Sequence, residues 1–345
     1  MRADRYYPGF RRGARQLQWQ PEDFVMGGFP LETGRVWYVD GDKAASGAGA
    51  NWSDAYKTIQ EAETASSAGD VVLVANRTMT KTDTDPTNYA ETVIIDTPQL
   101  SIIGVSRGLT QGGLPQVKIG AGSTAMLTIR APGCLIANMG FNGASSTGGG
   151  ILLDDDGGST KSAFGTTIVG CHFKNCVGTT ATNAATGGAI MWSSDGGAWQ
   201  VRIQGNRFYK NVGDIVMKGT SISVPQDVVI DDNIFSGPAA SVDCNLYVAA
   251  DGINGLIVKD NIFTGKPAIG SGTNAKYMVL GAGTVGILAN NYFASITGEA
   301  ETDVTFGASG AGATIPTTVF ISGNYGETGA ANTNAGEQTS DIFRT

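Results

Sequence analysis

Four residues in the second half of the chain have the types and spacing to do chemistry: Asp231 with Asp232 and, one repeat later, Lys259 with Asp260. Carboxylates brought into a row can bind a cation, share a proton or stand in water, and a neighbouring cation supplies the basic group that proton abstraction beside a carboxylate needs. They lie in repeated phrases, VVIDDNIF at 228–235 and LIVKDNIF at 256–263, with VRIQGNRF at 201–208 one repeat before. Superposing the phrases puts Gln204, Asp231 and Lys259 in one outward row and Gly205, Asp232 and Asp260 in the next. Asp231 is then expected to pair with Lys259, while Asp232 and Asp260 face each other as like charges. Three outcomes follow for this row: a solvated corner, a cation site, or a catalytic set of Asp231, Asp232, Lys259 and Asp260.

Other chemistry-bearing residues assemble less. The single histidine, His172, follows Cys171, but nucleophile and base devices also need a carboxylate to orient the base, and none is near in sequence. Asp154, Asp155 and Asp156 run into a Gly/Ser stretch, and alternate side chains of a strand diverge, so the three do not converge on one ion. The acidic DTD at 83–85 precedes a proline and is equally isolated. Gly281-Ala-Gly283-Thr-Val-Gly286 matches a dinucleotide fingerprint, yet it leads into ILANNYF, a strand pattern, where no helix N-terminus would hold pyrophosphate. No metal site and no cofactor is expected.

The phrases themselves define the element that must position these groups. Besides the three copies above there are CLIANMGF at 134–141, TTIVGCHF at 166–173, VGILANNY at 285–292 and VFISGNYG at 319–326. They recur about every 30 residues, the range of a supersecondary unit that stacks on its own copies. Alternation of Val201 with Ile203, Val228 with Ile230 and Leu256 with Val258 has the period of a strand with one buried face. Gly205-Asn206, Asp232-Asn233 and Asp260-Asn261 tolerate bent or left-handed backbone, so a corner is expected there. Asn206, Asn233, Asn261, Asn290 and Asn324 should form one buried ladder, and Phe208, Phe235, Phe263 and Tyr292 a second. A further strand follows each phrase, as in ILLDD at 151, AIMWS at 189, LYVAA at 246 and YMVLG at 277. Upstream, Ser53 is a candidate N-cap for a helix at about 54–65 with Tyr56, Ile59 and Ala62 on one face, and Gly69-Asp70 leads into a buried strand. Such a helix would cover the open strand edges of the first coil.

WYVDGD at 37–42, the WSDAYKTIQEA helix, AGDVVLVA and the N-x-F coils together resemble the pectin-lyase-like superfamily. The resemblance spans about residues 35–326 and implies an all-β chain, a right-handed single-stranded parallel β-helix (solenoid) with an N-terminal capping helix. That superfamily holds polysaccharide lyases, glycoside hydrolases, adhesins and phage tailspikes, so fold alone does not fix activity. The β-helix polygalacturonases within it carry a G-H-G element that is absent here.

The composition suits corner-rich strands: 50 glycines in 345 residues and only 16% charged. Cys134, Cys171, Cys176 and Cys244 lack paired spacing and are expected to be reduced core thiols. Residues 1–34 are set apart as an extended arm, with Arg2, Arg5, Arg11, Arg12 and Arg15 interleaved with Tyr6, Tyr7, Phe10 and Trp19. Arginine and aromatic side chains dominate interface hot spots, so the arm is expected to dock onto a protein; disorder is one alternative and nucleic-acid binding another, since the same residue types suit phosphates and bases. The arm has no apolar core behind its arginines and does not resemble an export signal. A polar tail follows from 327 to 345. Trp192 and Trp199 bracket SSDGGA, and Tyr209, Phe293 and Tyr325 flank corners, where they could meet sugar rings or another subunit. The expectation drawn from this is a structural component of a bacteriophage particle, head-decorating or tail-associated, docked through residues 1–34 and homotrimeric as its phage look-alikes are. The alternative is a tailspike-like protein that binds or depolymerises polysaccharide. No apolar run reaches the length of a membrane span.

Overall fold

The computed structural model describes residues 34–79, 86–105, 113–118, 125–143, 149–156, 162–176, 188–193, 198–218, 224–236, 244–264, 277–296, 306–309, 316–328 and 339–340. The arm residues Arg2, Arg5, Tyr6, Tyr7, Phe10, Arg11, Arg12, Arg15 and Trp19 lie outside them, as does most of the tail.

Described strands are short and fall into three sheets of ten, nine and eight members. The chain visits the three in rotation, so each strand pairs with its counterpart one coil away. All pairings are parallel except the last, where Thr339–Ser340 returns antiparallel along Tyr325–Thr328. This is a parallel β-helix. Each repeated phrase proves to be two strands, one in the ten-stranded and one in the nine-stranded sheet, and the strand after it belongs to the eight-stranded sheet.

The two-strand phrase follows from one residue of left-handed backbone within each phrase. Asn138, Gly170, Gly205, Asp232, Asp260, Asn290 and Gly323 all have φ between 53° and 63°. Only Gly, Asn and Asp adopt that region at low strain, which explains why these types recur there. The turn throws the following Asn inward and the residue two beyond it into the core.

Inside, side chains of one kind stack at the strand spacing of ~4.8 Å. The ten-stranded sheet contributes Ile136, Ile168, Ile203, Ile230, Val258, Leu288 and Ile321, matched strand to strand. The nine-stranded sheet contributes Phe141, Phe173, Phe208, Phe235, Phe263 and Phe293, with successive ring centroids 4.5–5.1 Å apart and planes within 16°. Offset stacking at this distance adds to the burial of each ring. All four cysteines are free and buried.

The asparagine ladder runs Asn206, Asn233, Asn261, Asn291 and Asn324. Asn233 shows its logic. Its Oδ1 accepts from the Asn206 backbone N–H at 2.9 Å, and its Nδ2 donates to Ile203 O at 2.9 Å and to Asn261 Oδ1 at 3.0 Å. Asn291 repeats this with Asn324 and Val258. One coil upstream of Asn206 the column ends at Cys171, whose N–H still donates to Asn206 Oδ1.

Two expected ladder members are therefore displaced by one residue. Asn290 is the left-handed corner and Asn291 the ladder residue; Tyr292 lies half-buried on the outer side and Phe293 is the fully buried ring. Pairing between the strands decides it: Leu256 lies opposite Gly286 and Lys259 opposite Ala289, which brings Asn261 to Asn291, whose Oδ1 accepts from the Asn261 N–H at 3.1 Å. Two adjacent asparagines made both registers compatible with the phrase. The chosen one buries Leu288 and Phe293 and leaves Ile287 exposed.

At the first coil the helix spans Ile59–Ala65, capped by Thr58 in a reciprocal box with Glu61. Ser53 is not its cap; it sits in a separate 3-10 turn, Trp52–Asp54, capped by Asn51. The side chains of this helix treat the strand Val93–Ile95 as a neighbour strand would. Gln60 Oε1 accepts from Ile94 N–H at 2.8 Å, Gln60 Nε2 donates to Ile94 O at 3.4 Å, and Glu63 accepts from Asp96 N–H at 3.0 Å. Val93–Ile95 is the terminal strand of the eight-stranded sheet.

Candidate functional site

The outer flank of the ten-stranded sheet carries the charged row. Gln204 pairs in register with Asp231 and Asp231 with Lys259, as the phrase alignment requires. The ion pairs differ from expectation. Asp231 is held by Arg202, with Nη2 to Oδ2 at 3.0 Å, and Lys259 instead reaches its own neighbour Asp260 at 3.3 Å. Register explains the exchange: Arg202 lies opposite Val229 on the same outer side and reaches diagonally to Asp231, which is shorter of solvent than any other member of the row. Arg202 was not singled out by sequence reasoning, although its outward parity in VRIQGNRF was readable.

Asp231 is buried, and its Oδ1 has no hydrogen-bond partner among the described residues. Asp232 and Asp260 are exposed, each on a left-handed corner. The four expected residues are thus brought together on one flank, but as two separate ion pairs plus a solvated Asp232. Among the described residues no group of three or more His, Cys, Asp or Glu is arranged to hold a metal ion. Exposed pairs such as Lys259–Asp260 contribute little to stability, so these charges are available to a ligand at small expense to the fold.

His172 and Lys174 face outward from the nine-stranded sheet on either side of the inward Phe173, opposite Arg207 and Tyr209 of the next coil. Both are nonetheless buried, because neighbouring groups cover them. Asp154 and Asp156 converge on Arg130 at 2.8 and 3.1 Å and form an ion-pair cluster. Trp192 is a core residue whose indole N–H donates to Ala198 O at 3.0 Å, and Phe293 is core as well. Trp199 and Tyr209 are exposed.

One titratable group escaped the sequence reading altogether. Asp214 is fully buried inside the coil, accepting from Asn211 Nδ2 at 2.8 Å and Asn245 Nδ2 at 2.6 Å. Loss of solvation outweighs those two bonds and pushes its carboxyl up to about 7. No repeated type marks its position, so no pattern could have revealed it.

Stacked parallel sheets, left-handed corners and interior Asn and Phe ladders make this a parallel β-helix protein. No protein-family model matches the sequence, and neither does any curated protein. Similar solved structures include a pectate lyase from Xanthomonas campestris, 13% identical over 82% of this chain and 80% of that one, with a TM-score of 0.49. Two structures of the PL6 family alginate lyase AlyGC follow, at 13% and 14% identity and TM-scores of 0.37 and 0.35. This chain spans 40% and 38% of those two chains.

Proposed function

We propose that this protein binds an extended polysaccharide along the outer flank of its ten-stranded sheet. The observation that carries this reading is periodicity. Polar side chains recur there one step per coil, as Gln204, Asp231 and Lys259 in one row and Asp232, Asp260 and Asn290 in the next. A linear polymer is the ligand whose own repeat can follow such a row over several coils. Arg202 and Lys259 offer donors to hydroxyl or carboxylate oxygens, and Asp232 and Asp260 accept from hydroxyls. Depolymerisation would require one of these groups to act as base on a proton beside a carboxylate, with Asp232, Asp260 and Lys259 the candidates in the row. The docking role of residues 1–34 rests on their arginine and aromatic content, and the homotrimer and the place in a phage particle rest on the sequence resemblance.

The test is affinity electrophoresis of the purified protein in gels cast with polygalacturonate, alginate or dextran, alongside absorbance of unsaturated product in solution. Retardation by at least one polymer is expected, weakened about tenfold in affinity when Arg202→Gln and Lys259→Gln are combined, as two charge-assisted contacts are removed. Equal mobility of the native protein in all gels would end the polysaccharide reading.

A further inference from the structure

A column of side chains at the corner before the ten-stranded sheet is not used by the charged row. The corner residues Gln99, Gly133, Gly165, Gln200 and Asp227 all have left-handed backbone, with φ between 52° and 70°. Their N–H groups bond to the residue before the corner one coil on: Gln99 to Pro132 O, Gly133 to Phe164 O, Gly165 to Trp199 O and Gln200 to Gln226 O, at 2.7–2.9 Å. Trp199 pairs with Gln226 and Gln226 with Asn254. Pro132, Phe164, Trp199, Gln226 and Asn254 are therefore stacked one per coil, at ~4.8 Å intervals. Phe164 and Trp199 are each 44% exposed. A large aromatic side chain left half in water, twice in succession on the same column, has no role in the core.

Two half-exposed rings amount to far less than the ~800 Å² that each partner of a stable protein interface covers. They suit instead a small flat ligand with an apolar face and a polar rim. The surroundings have that form. The amides of Gln226 and Asn254 continue the column, Gln200 stands at its corner, and Arg202 lies outward just beyond it, in register with Thr167 one coil back. The indole N–H of the half-exposed Trp199 is a further donor.

We propose that Phe164 and Trp199 form a stacking subsite for the apolar face of a pyranose ring, with Gln226 and Asn254 taking the ring hydroxyls of the next sugar along the column. This rests on the polysaccharide reading and extends it from the charged flank to the corner beside it. A pyranose presents its C–H groups on one face and its hydroxyls at the edge, which matches an aromatic platform bordered by amides. Carboxylates are not needed for this contact, so the subsite would act on neutral and uronic sugars alike.

The subsite is tested on the full chain with the same polymer gels and with tryptophan fluorescence. Trp199→Ala and Phe164→Ala are each expected to weaken retardation at least fivefold in the polymer that binds the native protein, with thermal unfolding unchanged because both side chains are exposed. Adding that polymer should shift native tryptophan emission; the shift should vanish in Trp199→Phe and persist in Trp52→Phe, which removes the other strongly exposed tryptophan among the described residues. If a polymer retards the native protein and Trp199→Ala equally and Trp199→Phe keeps the emission shift, the subsite is wrong while the flank reading stands. If no polymer binds the native protein, both fall together.

Discussion

The buried asparagines show how a single side chain can serve three backbone groups and a neighbouring amide where water is absent. Asn233 accepts from one coil and donates to Ile203 O, Asp231 O and Asn261 Oδ1. Replacing it with Ala strands the Asn206 N–H in the interior, at about 1–3 kcal/mol, and removes the three bonds that the Asn233 amide donates. Asn233→Ala should therefore lose about 2–5 kcal/mol in urea unfolding, and a loss under 0.5 kcal/mol would show the ladder to be ornamental. Asp214 is the opposite case, a carboxyl whose burial raises its pKa from 3.8 to about 7. The folded state therefore holds the proton more tightly than the unfolded chain between about pH 4 and 7. Its stabilising contribution is complete below about pH 4 and is lost as pH rises through about 7. Asp214→Asn should flatten the stability profile across that window and be the more stable form at pH 8, by a few kcal/mol at most. The neighbouring Asn245 Oδ1, buried without a hydrogen bond, can turn to accept from the new amide. Equal slopes for both proteins between pH 4 and 8 would refute the assignment.

Among the elements, the first helix does what an extra strand would do, using side chains in place of backbone. Gln60 meets both the N–H and the carbonyl of Ile94, and Glu91 in return accepts from the helix N–H groups of Ile59 and Gln60 at 2.9 and 3.0 Å. A bare strand edge is a template for pairing with another chain. Gln60→Ala should therefore lose about 1–2 kcal/mol and speed hydrogen exchange at the Ile94 amide above its neighbours, with slow aggregation at high concentration. Unchanged exchange at Ile94 would mean that the contact does not seal the edge. The phenylalanine column is less local: Phe235 touches rings on both sides, 4.9 Å to Phe208 and 4.5 Å to Phe263, so truncation there would interrupt two interfaces of a stack whose stability is a sum over neighbouring coils.

As a whole, the molecule is a rod whose interior holds every thiol. Burial pushes Cys134 and Cys171 up to about 12 and Cys176 higher still, which leaves almost no thiolate to react at neutral pH. A thiol reagent at pH 8 should label none of the four in the native protein within minutes and all four in denaturant; labelling of the folded rod at the speed of a free thiol would contradict the packed interior. The order of labelling would also report which coils open first, since coils in such a stack open from weak points. Much of this was legible in the chain itself. A corner that needs left-handed backbone accepts few residue types, and a column that stacks on its own copies demands the same side chain at every turn, so Gly/Asp-Asn-x-Phe repeats announced both the corner and the ladders. The exchange of Asn290 for Asn291 and of Tyr292 for Phe293 was not legible, because two adjacent asparagines let the phrase fit either register and only the pairing of Leu256 with Gly286 decides between them. Nor could sequence say that Arg202 takes Asp231 from Lys259, or that Phe164 and Trp199 share a column with Gln226, since those relations depend on diagonal reach and on which residue of each coil precedes the turn. Residue type is dictated locally by backbone geometry; partnership is decided only when coils are laid on one another.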